Sequence, residues 1–307
     1  MDQDNLFDSL LPPAMAKKAE DIGVRKAATP ALKVFLLAVL AGAFIALGAV
    51  FSTTTLAGSS VLPYGLARLL GGLAFCLGLI LVVVAGAELF TGNNLIVMAW
   101  ANGRVSTGAL LRNWAIVFVG NFVGSLGTAA LMFLTRQYAS GAGAVGEIAL
   151  KTASSKIHLD FVQAIALGIL CNGLVCLAVW MTYSARTTTG KIMAIIFPIT
   201  AFVAAGFEHS VANMYFIPYG LFIQQFDPAF VASLGDKVNL AGLTWGSFLL
   251  NNLLPVTIGN IIGGAGLVGI IYWVIYLRGS KSAESPAKKA EQSPEQKAES
   301  SHPAVLH

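Results

Sequence analysis

AGAELFTGNN, Ala85 to Asn94, and AGFEHSVAN, Ala205 to Asn213, decide the fold. At an offset of 120 residues they pair Gly86 with Gly206, Glu88 with Glu208 and Asn93 with Asn213, and they differ where Leu89 meets His209. Each segment interrupts an apolar stretch of about 35 residues, Leu66 to Trp100 and Ile192 to Phe226. A bilayer crossing needs only about 20 residues, so both stretches read as broken spans with Gly and Glu at the break.

Working outward, VFVGNFVGSLG (Val117 to Gly127) repeats as VTIGNIIGGAG (Val256 to Gly266) at an offset of 139. The shared Gly-Asn-x-x-Gly-x-x-Gly is a small-residue spacing that lets transmembrane helices approach closely. A fainter match sets Gly42 against Gly168. Counting apolar lengths gives six spans: about Leu32 to Phe51, Leu66 to Trp100, Ala109 to Arg136, Phe161 to Ser184, Ile192 to Phe226 and Ser247 to Leu277. Three spans per repeat is an odd number, so the second copy enters the membrane in the opposite direction. The expected fold is therefore an all-α membrane protein of two inverted three-helix repeats, with spans 2 and 5 interrupted. Such repeats place a permeation site near the midplane, and the broken backbone must be buried in protein or line a cavity.

Composition agrees. Of 307 residues, 56% are hydrophobic and 11% charged, against about 25% charged in soluble domains. Runs such as Val34 to Ala67 and Val238 to Leu277 hold no Asp, Glu, Lys, Arg or His. One side of the membrane carries fourteen Lys and Arg, among them Lys17, Lys18, Arg25, Lys26, Arg104, Arg112, Arg186, Lys191 and Arg278. The other carries five: Arg68, Arg136, Lys151, Lys156 and Lys237. This excess places both termini in the cytoplasm. The net charge of +4 belongs to these boundaries and the tails, so it signals topology and no nucleic-acid partner. Met1 to Ser9 is acidic and no signal peptide. Cys76, Cys171 and Cys176 lie inside apolar spans and read as packing.

Three regions follow. Residues 1–30 form a cytoplasmic amino-terminal segment in which Met15, Ala19, Ile22 and Lys26 fall along one stripe of a short helix, either interfacial and partner-binding or simply solvated. Residues 31–278 form the channel domain. Residues 279–307, rich in Ser, Ala, Lys, Glu, Pro and Gln, form a disordered cytoplasmic tail.

Ionisable groups deep in a membrane cost about 2.5–3.5 kcal/mol each at mid-helix, so each needs a reason. Glu88, Glu208 and His209 are the deep ones, and all sit at the breaks. The glutamates either cap free backbone N–H groups or meet a solute; their symmetric placement suits a scaffold. His209 is either satisfied by neighbouring backbone or is a pore residue that changes charge between about pH 5 and 7. Charged, it offers an anion a donor; neutral, it can exchange a proton with a weak acid. Thr91 can donate a hydroxyl, and helix N-termini after Asn93 and Asn213 add partial positive charge. One His and two Glu are too few for a soft metal site, and no metal or other cofactor is expected. Phe75, Leu79, Val175 and Phe202 flank the breaks and read as packing or as pore walls. Asn172 is a lone mid-span amide that needs a partner or a solute, and Lys156 is either an anion attractor or an interfacial anchor.

AGAELFTGNN, GILCNGLVCLAVW, PVTIGNIIGG (Pro255 to Gly264) and GFEHSVANM (Gly206 to Met214) together resemble the signature segments of the formate/nitrite transporter family, with likeness from about Asn5 to Leu277. The amino-terminal NLFDSLLPPAMAKKAEDIGVRKA resembles the formate-channel branch. The resemblance implies an aquaporin-like fold in a homopentamer of the bacterial inner membrane, one pore per protomer. It implies bidirectional passage of formate and related monovalent anions, nitrite and acetate among them. It also implies an outer constriction of Phe75 and Phe202 with Leu79 at its inner edge, and an inner one of Leu89 and Val175. The central site would be Thr91, Asn172, Glu208 and His209, with Lys156 drawing anions in, Glu88, Gly86, Gly206, Asn93 and Asn213 shaping the loops, and the amino-terminal helix gating the pore or meeting a formate-metabolising enzyme. Gly173 departs from the pattern, which has an apolar residue there, and is expected to loosen packing beside Asn172. Nitrite or hydrosulfide is the alternative solute; a neutral-solute pore fits the deep His and Glu less well, and a membrane enzyme least, since no nucleophile–base pair stands out.

Overall fold

The computed structural model describes residues 9–279; the expected tail, apart from Gly279, lies outside the described residues. Helix α1 (Pro12–Ala28) precedes α2 (Ala31–Leu56); α3 (Tyr64–Val84) stops and is followed by α4 (Phe90–Asn93) and α5 (Val97–Ala101). Then come α6 (Thr107–Leu134), α7 (Ala144–Ile157) and α8 (Phe161–Ser184). Helix α9 (Thr188–Ala205) stops and is followed by α10 (Ser210–Phe226), α11 (Pro228–Leu234) and a last span, Trp245–Tyr276. Six of these are long and apolar enough to cross a membrane: α2, α3, α6, α8, α9 and the last span. Both interruptions fall where the sequence places them. The outward flank of α2 shows why lipid suits it: Leu32, Leu36, Leu40, Leu47 and Phe51 recur at helical spacing and are all exposed on the protomer.

The inverted repeat is larger than expected, because α1 and α7 belong to it. At an offset of 130, α1 corresponds to α7 and α2 to α8. The Glu88 N–H donates to Leu37 O at 3.2 Å, and the Glu208 N–H to Leu167 O at 3.3 Å. The same offset corrects the fainter match: Ala38 pairs with Gly168, and Gly42 with Asn172. Small residues recur every four positions along this stripe, so sliding one helical turn still superposes two glycines and gives the false pairing of Gly42 with Gly168.

Close packing holds the halves. A Cβ at Gly124 would collide with Val39 O, and one at Gly263 with Ile169 O, its counterpart. Helices at such distance leave no room for a methyl group. The last span differs from α6 in containing two π-helical stretches, Phe248–Leu253 and Ile262–Ile270, where α6 is regular.

Helix α1 is neither solvated nor lying free along a membrane. Met15, Ala16, Ala19, Gly23 and Ala27 are buried against the channel body, and a Cβ at Gly23 would meet Ala99 Cβ at 3.1 Å. Residues outside the spans anchor it: Arg104 pairs with Glu20 at 3.2 Å and Asp21 at 2.6 Å. The Asp21 hydrogen bond is the leading reason that the Arg104 guanidinium is held above the usual arginine range, with burial opposing it.

Candidate permeation site

Each break opens with a glycine in left-handed conformation, Gly86 at φ 82° and Gly206 at φ 77°, where a side chain would be strained. The chain then passes through Leu89 or His209 in extended conformation before α4 or α10 begins. The freed backbone groups are taken up by one asparagine in each half. Asn121 Oδ1 accepts from the Phe90 N–H at 2.9 Å, while its Nδ2 donates to Ala38 O at 2.8 Å and Glu88 O at 2.9 Å. Asn260 Oδ1 accepts from the Ser210 N–H at 2.9 Å, and its Nδ2 donates to Gly168 O at 2.8 Å and Glu208 O at 2.9 Å. These asparagines lie in the repeated Gly-Asn motif and are absent from the sequence-predicted site, because the motif's glycines already account for it as close helix packing.

A second symmetric frame fixes the glutamates. Lys26 Nζ meets Glu88 Oε2 and Asn93 Oδ1, both at 2.8 Å. Asn93 Nδ2 donates to Glu88 Oε2 at 2.6 Å and to Asn113 Oδ1 at 2.9 Å, and Asn113 Nδ2 reaches back to Lys26 O at 3.3 Å. In the other half Lys156 Nζ meets Glu208 Oε1 at 2.7 Å, Asn213 Nδ2 donates to Glu208 Oε2 at 2.6 Å and to Asn252 Oδ1 at 2.7 Å, and Asn252 Nδ2 donates to Lys156 O at 2.9 Å. Asn113 and Asn252 were not singled out from sequence, and Lys26 was read only as part of the α1 stripe and of the topology signal. The signal was their recurrence at offsets of 130 and 139, visible only once the helices are aligned. Glu88 and Glu208 are thus each held by a lysine and an asparagine amide, both on Oε2 in Glu88 and one on each carboxylate oxygen in Glu208.

Between the frames the protein encloses a pinched chamber walled by Ile45, Phe75, Leu79, Leu89, Val175, Ile199, Phe202 and His209. Its volume is about 10 Å³, about the least that holds one water. A vestibule of about 260 Å³ opens toward α7, lined by Arg68, Phe75, Lys156, Phe202, Glu208, His209 and Phe216 among others. A second, of about 320 Å³, opens toward α1, lined by Ile22, Lys26, Leu79, Glu88, Leu89, Asn93 and Tyr183 among others. Phe75 and Phe202 meet edge to face at 5.7 Å between the chamber and the α7 vestibule. Leu79 and Leu89 line both the chamber and the α1 vestibule, which sets Leu79 on the inward side of the phenylalanine pair, on the chamber wall it shares with Phe75 and Phe202. Val175 lines the chamber itself.

His209 is the polar point on that wall. Its ring is 3% exposed and lies nearly parallel to Phe202, with centroids 5.9 Å apart. Nδ1 accepts from the Ala212 N–H at 3.0 Å, capping α10. An accepting Nδ1 puts the ring proton on Nε2, which lies 2.9 Å from Thr91 Oγ1 in the other half. Nε2 then donates to Thr91, and the threonine's own proton is left to donate elsewhere. A proton on Nδ1 would break the cap and would also sit at the positive end of α10. In this arrangement, therefore, the neutral ring is the hydrogen-bonding form.

Asn172 is placed beside the chamber and off its lining. Its Nδ2 lies 2.7 Å from Asn260 O, 3.2 Å from Asn94 Oδ1 and 3.3 Å from Thr91 O. It found partners in the protein and positions Thr91. Gly173 faces open space, with nothing within 4 Å of a Cβ built there, so it does not loosen packing beside Asn172 as expected. Among the described residues no cluster of His, Cys, Asp and Glu could hold a metal.

Comparison with known proteins bears on this geometry. The sequence profile described as Formate/nitrite transporter matches residues 13–274. The chain belongs to the formate/nitrite transporter family. The match takes in both lysine frames, both breaks and both asparagine clamps. Among relatives in the family, "Formate channel FocA" of Escherichia coli strain K12 is 51% identical over 280 residues, covering 91% of this chain and 98% of the relative. "Formate channel FocA" of Haemophilus influenzae is 45% identical over 264 residues, covering 85% and 93%. A solved "Pentameric formate channel with formate bound" superposes with a TM-score of 0.76 at 49% identity, covering 80% of this chain and 98% of that one. An "FNT family ion channel" superposes with a TM-score of 0.70 at 31% identity, covering 85% and 98%.

Proposed function

We propose that this protein is a formate channel of a bacterial inner membrane, a homopentamer with one pore per protomer, in which the solute crosses beside the Thr91–His209 pair. The observation that carries this reading is the 2.9 Å contact between His209 Nε2 and Thr91 Oγ1 on the wall of an otherwise apolar chamber. A monovalent carboxylate stripped of water needs a donor there; with the Nε2 proton given to Thr91 Oγ1, the threonine hydroxyl of one half, oriented by the histidine of the other, is the donor left to meet it. The two FocA relatives and one of the solved neighbours, named as formate channels, support formate as the solute, and the pentameric neighbour supports the assembly.

The α1 face is assigned to the cytoplasm. The Lys and Arg excess on that side favours it. With α1 docked and the chamber pinched, this is a closed state. Widening requires Phe75 and Phe202 to part on one side and Leu79 and Leu89 on the other.

Proton exchange costs more than hydrogen-bond donation in this geometry. A neutral ring that gave up the Nε2 proton would become an imidazolate, so passage as formic acid requires an imidazolium first, and with it an opened α10 cap. Formate and formic acid are therefore two modes of one pore, separated by the state of His209. Uptake of labelled formate into vesicles holding the purified protein tests the reading, with nitrite and hydrosulfide as competitors. Saturable formate uptake that excess nitrite barely affects is expected; preferential passage of nitrite or hydrosulfide, or osmotic swelling without anion flux, would replace the solute assigned here.

A further inference from the structure

Two cations line the α7 vestibule, and only one has a carboxylate. Lys156 is paired with Glu208 at 2.7 Å, its side chain 14% exposed and its ammonium 5.5 Å from the Phe216 ring centroid. Its charge is cancelled locally. Arg68, at the start of α3, lines the same vestibule. Its Nε donates to Ala204 O at 3.1 Å, and a terminal nitrogen donates to Val203 O. Carbonyls are dipoles, so these bonds orient the guanidinium without neutralising it. Among the described residues Arg68 has no carboxylate partner.

The position matters because α9 ends there. A helix C-terminus carries about half a negative charge, which would repel an arriving anion. Arg68 sits on the last carbonyls of α9 and more than offsets that charge, next to the Gly206 turn and one residue from Phe202 at the constriction. In the other half the equivalent helix end, at Val83 and Val84, carries no side-chain bond of this kind among the described residues, and the position 120 residues beyond Arg68 is Thr188. The α1 vestibule has Lys26 against Glu88 and no further cation on its lining.

We propose that Arg68 is a specificity-determining residue of the α7 vestibule: it supplies the one uncancelled positive charge there, turns a repelling helix end into an attracting one, and concentrates anions before the phenylalanine constriction. This rests on the reading of the protein as a formate channel and names a residue that sets its capture step. Capture by charge makes three demands. Arginine should be replaceable by lysine. A neutral replacement should weaken entry from the α7 side more than it lowers the maximal rate. Salt should erode the advantage.

The test uses vesicles in which the α7 face is outward and follows initial uptake over a range of formate concentrations for wild type, Arg68→Lys and Arg68→Gln. Arg68→Gln is expected to raise the half-saturating formate about three- to tenfold, the worth of one partly solvated charge, with the maximal rate within about twofold. Arg68→Lys should stay near wild type, and raising ionic strength should shrink the difference between wild type and Arg68→Gln. Arg68→Gln indistinguishable from wild type would overturn the proposal. So would Arg68→Lys losing maximal rate as severely as Arg68→Gln, which would make Arg68 a clamp on α9 and nothing more. Should Arg68→Gln fail to fold, the lysine variant and the salt dependence of wild type decide the matter by the same criteria. Wild-type vesicles that take up no formate would instead sink the functional reading.

Discussion

The two breaks are built alike and finished differently. Each has a left-handed glycine, a glutamate held by a lysine and an asparagine, and a distant asparagine that clamps three backbone groups. At the position after the glutamate the first half has Leu89 and the second has His209; about three helical turns into α2 and α8 the first has Gly42 and the second Asn172. The repeated residues answer backbone needs that any broken membrane helix has, and those needs are the same in both copies. Of these two unrepeated positions, the Leu89–His209 one lies on the chamber wall, whereas Asn172 is spent on protein partners. Symmetry therefore sorts scaffold from chemistry, and Glu208, expected among the solute contacts, shares the lysine and asparagine frame of Glu88 while also lining the α7 vestibule.

The largest effects should come from breaking what both halves share. Asn121→Leu and Asn260→Leu each orphan a buried N–H and two carbonyls, at about 1–3 kcal/mol per group, so each is expected to destabilise the protein by on the order of 5 kcal/mol. Thermal unfolding of detergent-solubilised protein should find the two variants comparably damaged; a mild effect in one would break the claimed equivalence.

Next come the lysines, where the halves should separate. The Lys156–Glu208 side chains are 14% and 6% exposed, and those of Lys26–Glu88 25% and 13%. Lys156→Met leaves an uncompensated buried carboxylate, at about 3–5 kcal/mol. Lys26→Met should cost roughly half as much, because water reaches its site, and should loosen α1. Adding Glu208→Gln to Lys156→Met should recover much of the loss in the same melting assay; no recovery would show that the lysine does something other than hold Glu208. Smaller again, Gly124→Ala and Gly263→Ala should each cost about 1–3 kcal/mol through overpacking against Val39 and Ile169. Unequal losses there would locate extra slack in the π-helical stretches of the last span.

Much of this was legible in the sequence because it depends on local facts. Run lengths mark spans, a glycine and a glutamate inside a long run mark a break, and the Leu89–His209 mismatch marks where the copies part. The resemblance to the formate/nitrite transporters supplied Phe75, Phe202, Leu79, Leu89 and Val175, which the structure gathers around one chamber; Ile45 and Ile199, equally part of its wall, carried no mark that sets them apart from lipid-facing isoleucines. What stayed hidden depends on contacts between remote positions. Lys26 lies 62 residues from Glu88, and a lysine near a helix end reads as a topology signal until the helix is seen docked. Arg68 was counted the same way. The α2–α8 register was misread because small residues every four positions make a one-turn slip look as good as the true match.

The central claim, that His209 is the chemical exception in a symmetric frame, is tested most directly by His209→Leu, which makes the second break like the first. Formate flux across vesicles would be followed against pH for the variant and for wild type. The expected result is a folded channel whose formate flux falls at least about tenfold, as the loss of a buried donor worth more than 1.4 kcal/mol implies, and no longer varies with pH beyond the titration of formate itself. A His209→Leu channel that keeps both the rate and the pH dependence of wild type would contradict it.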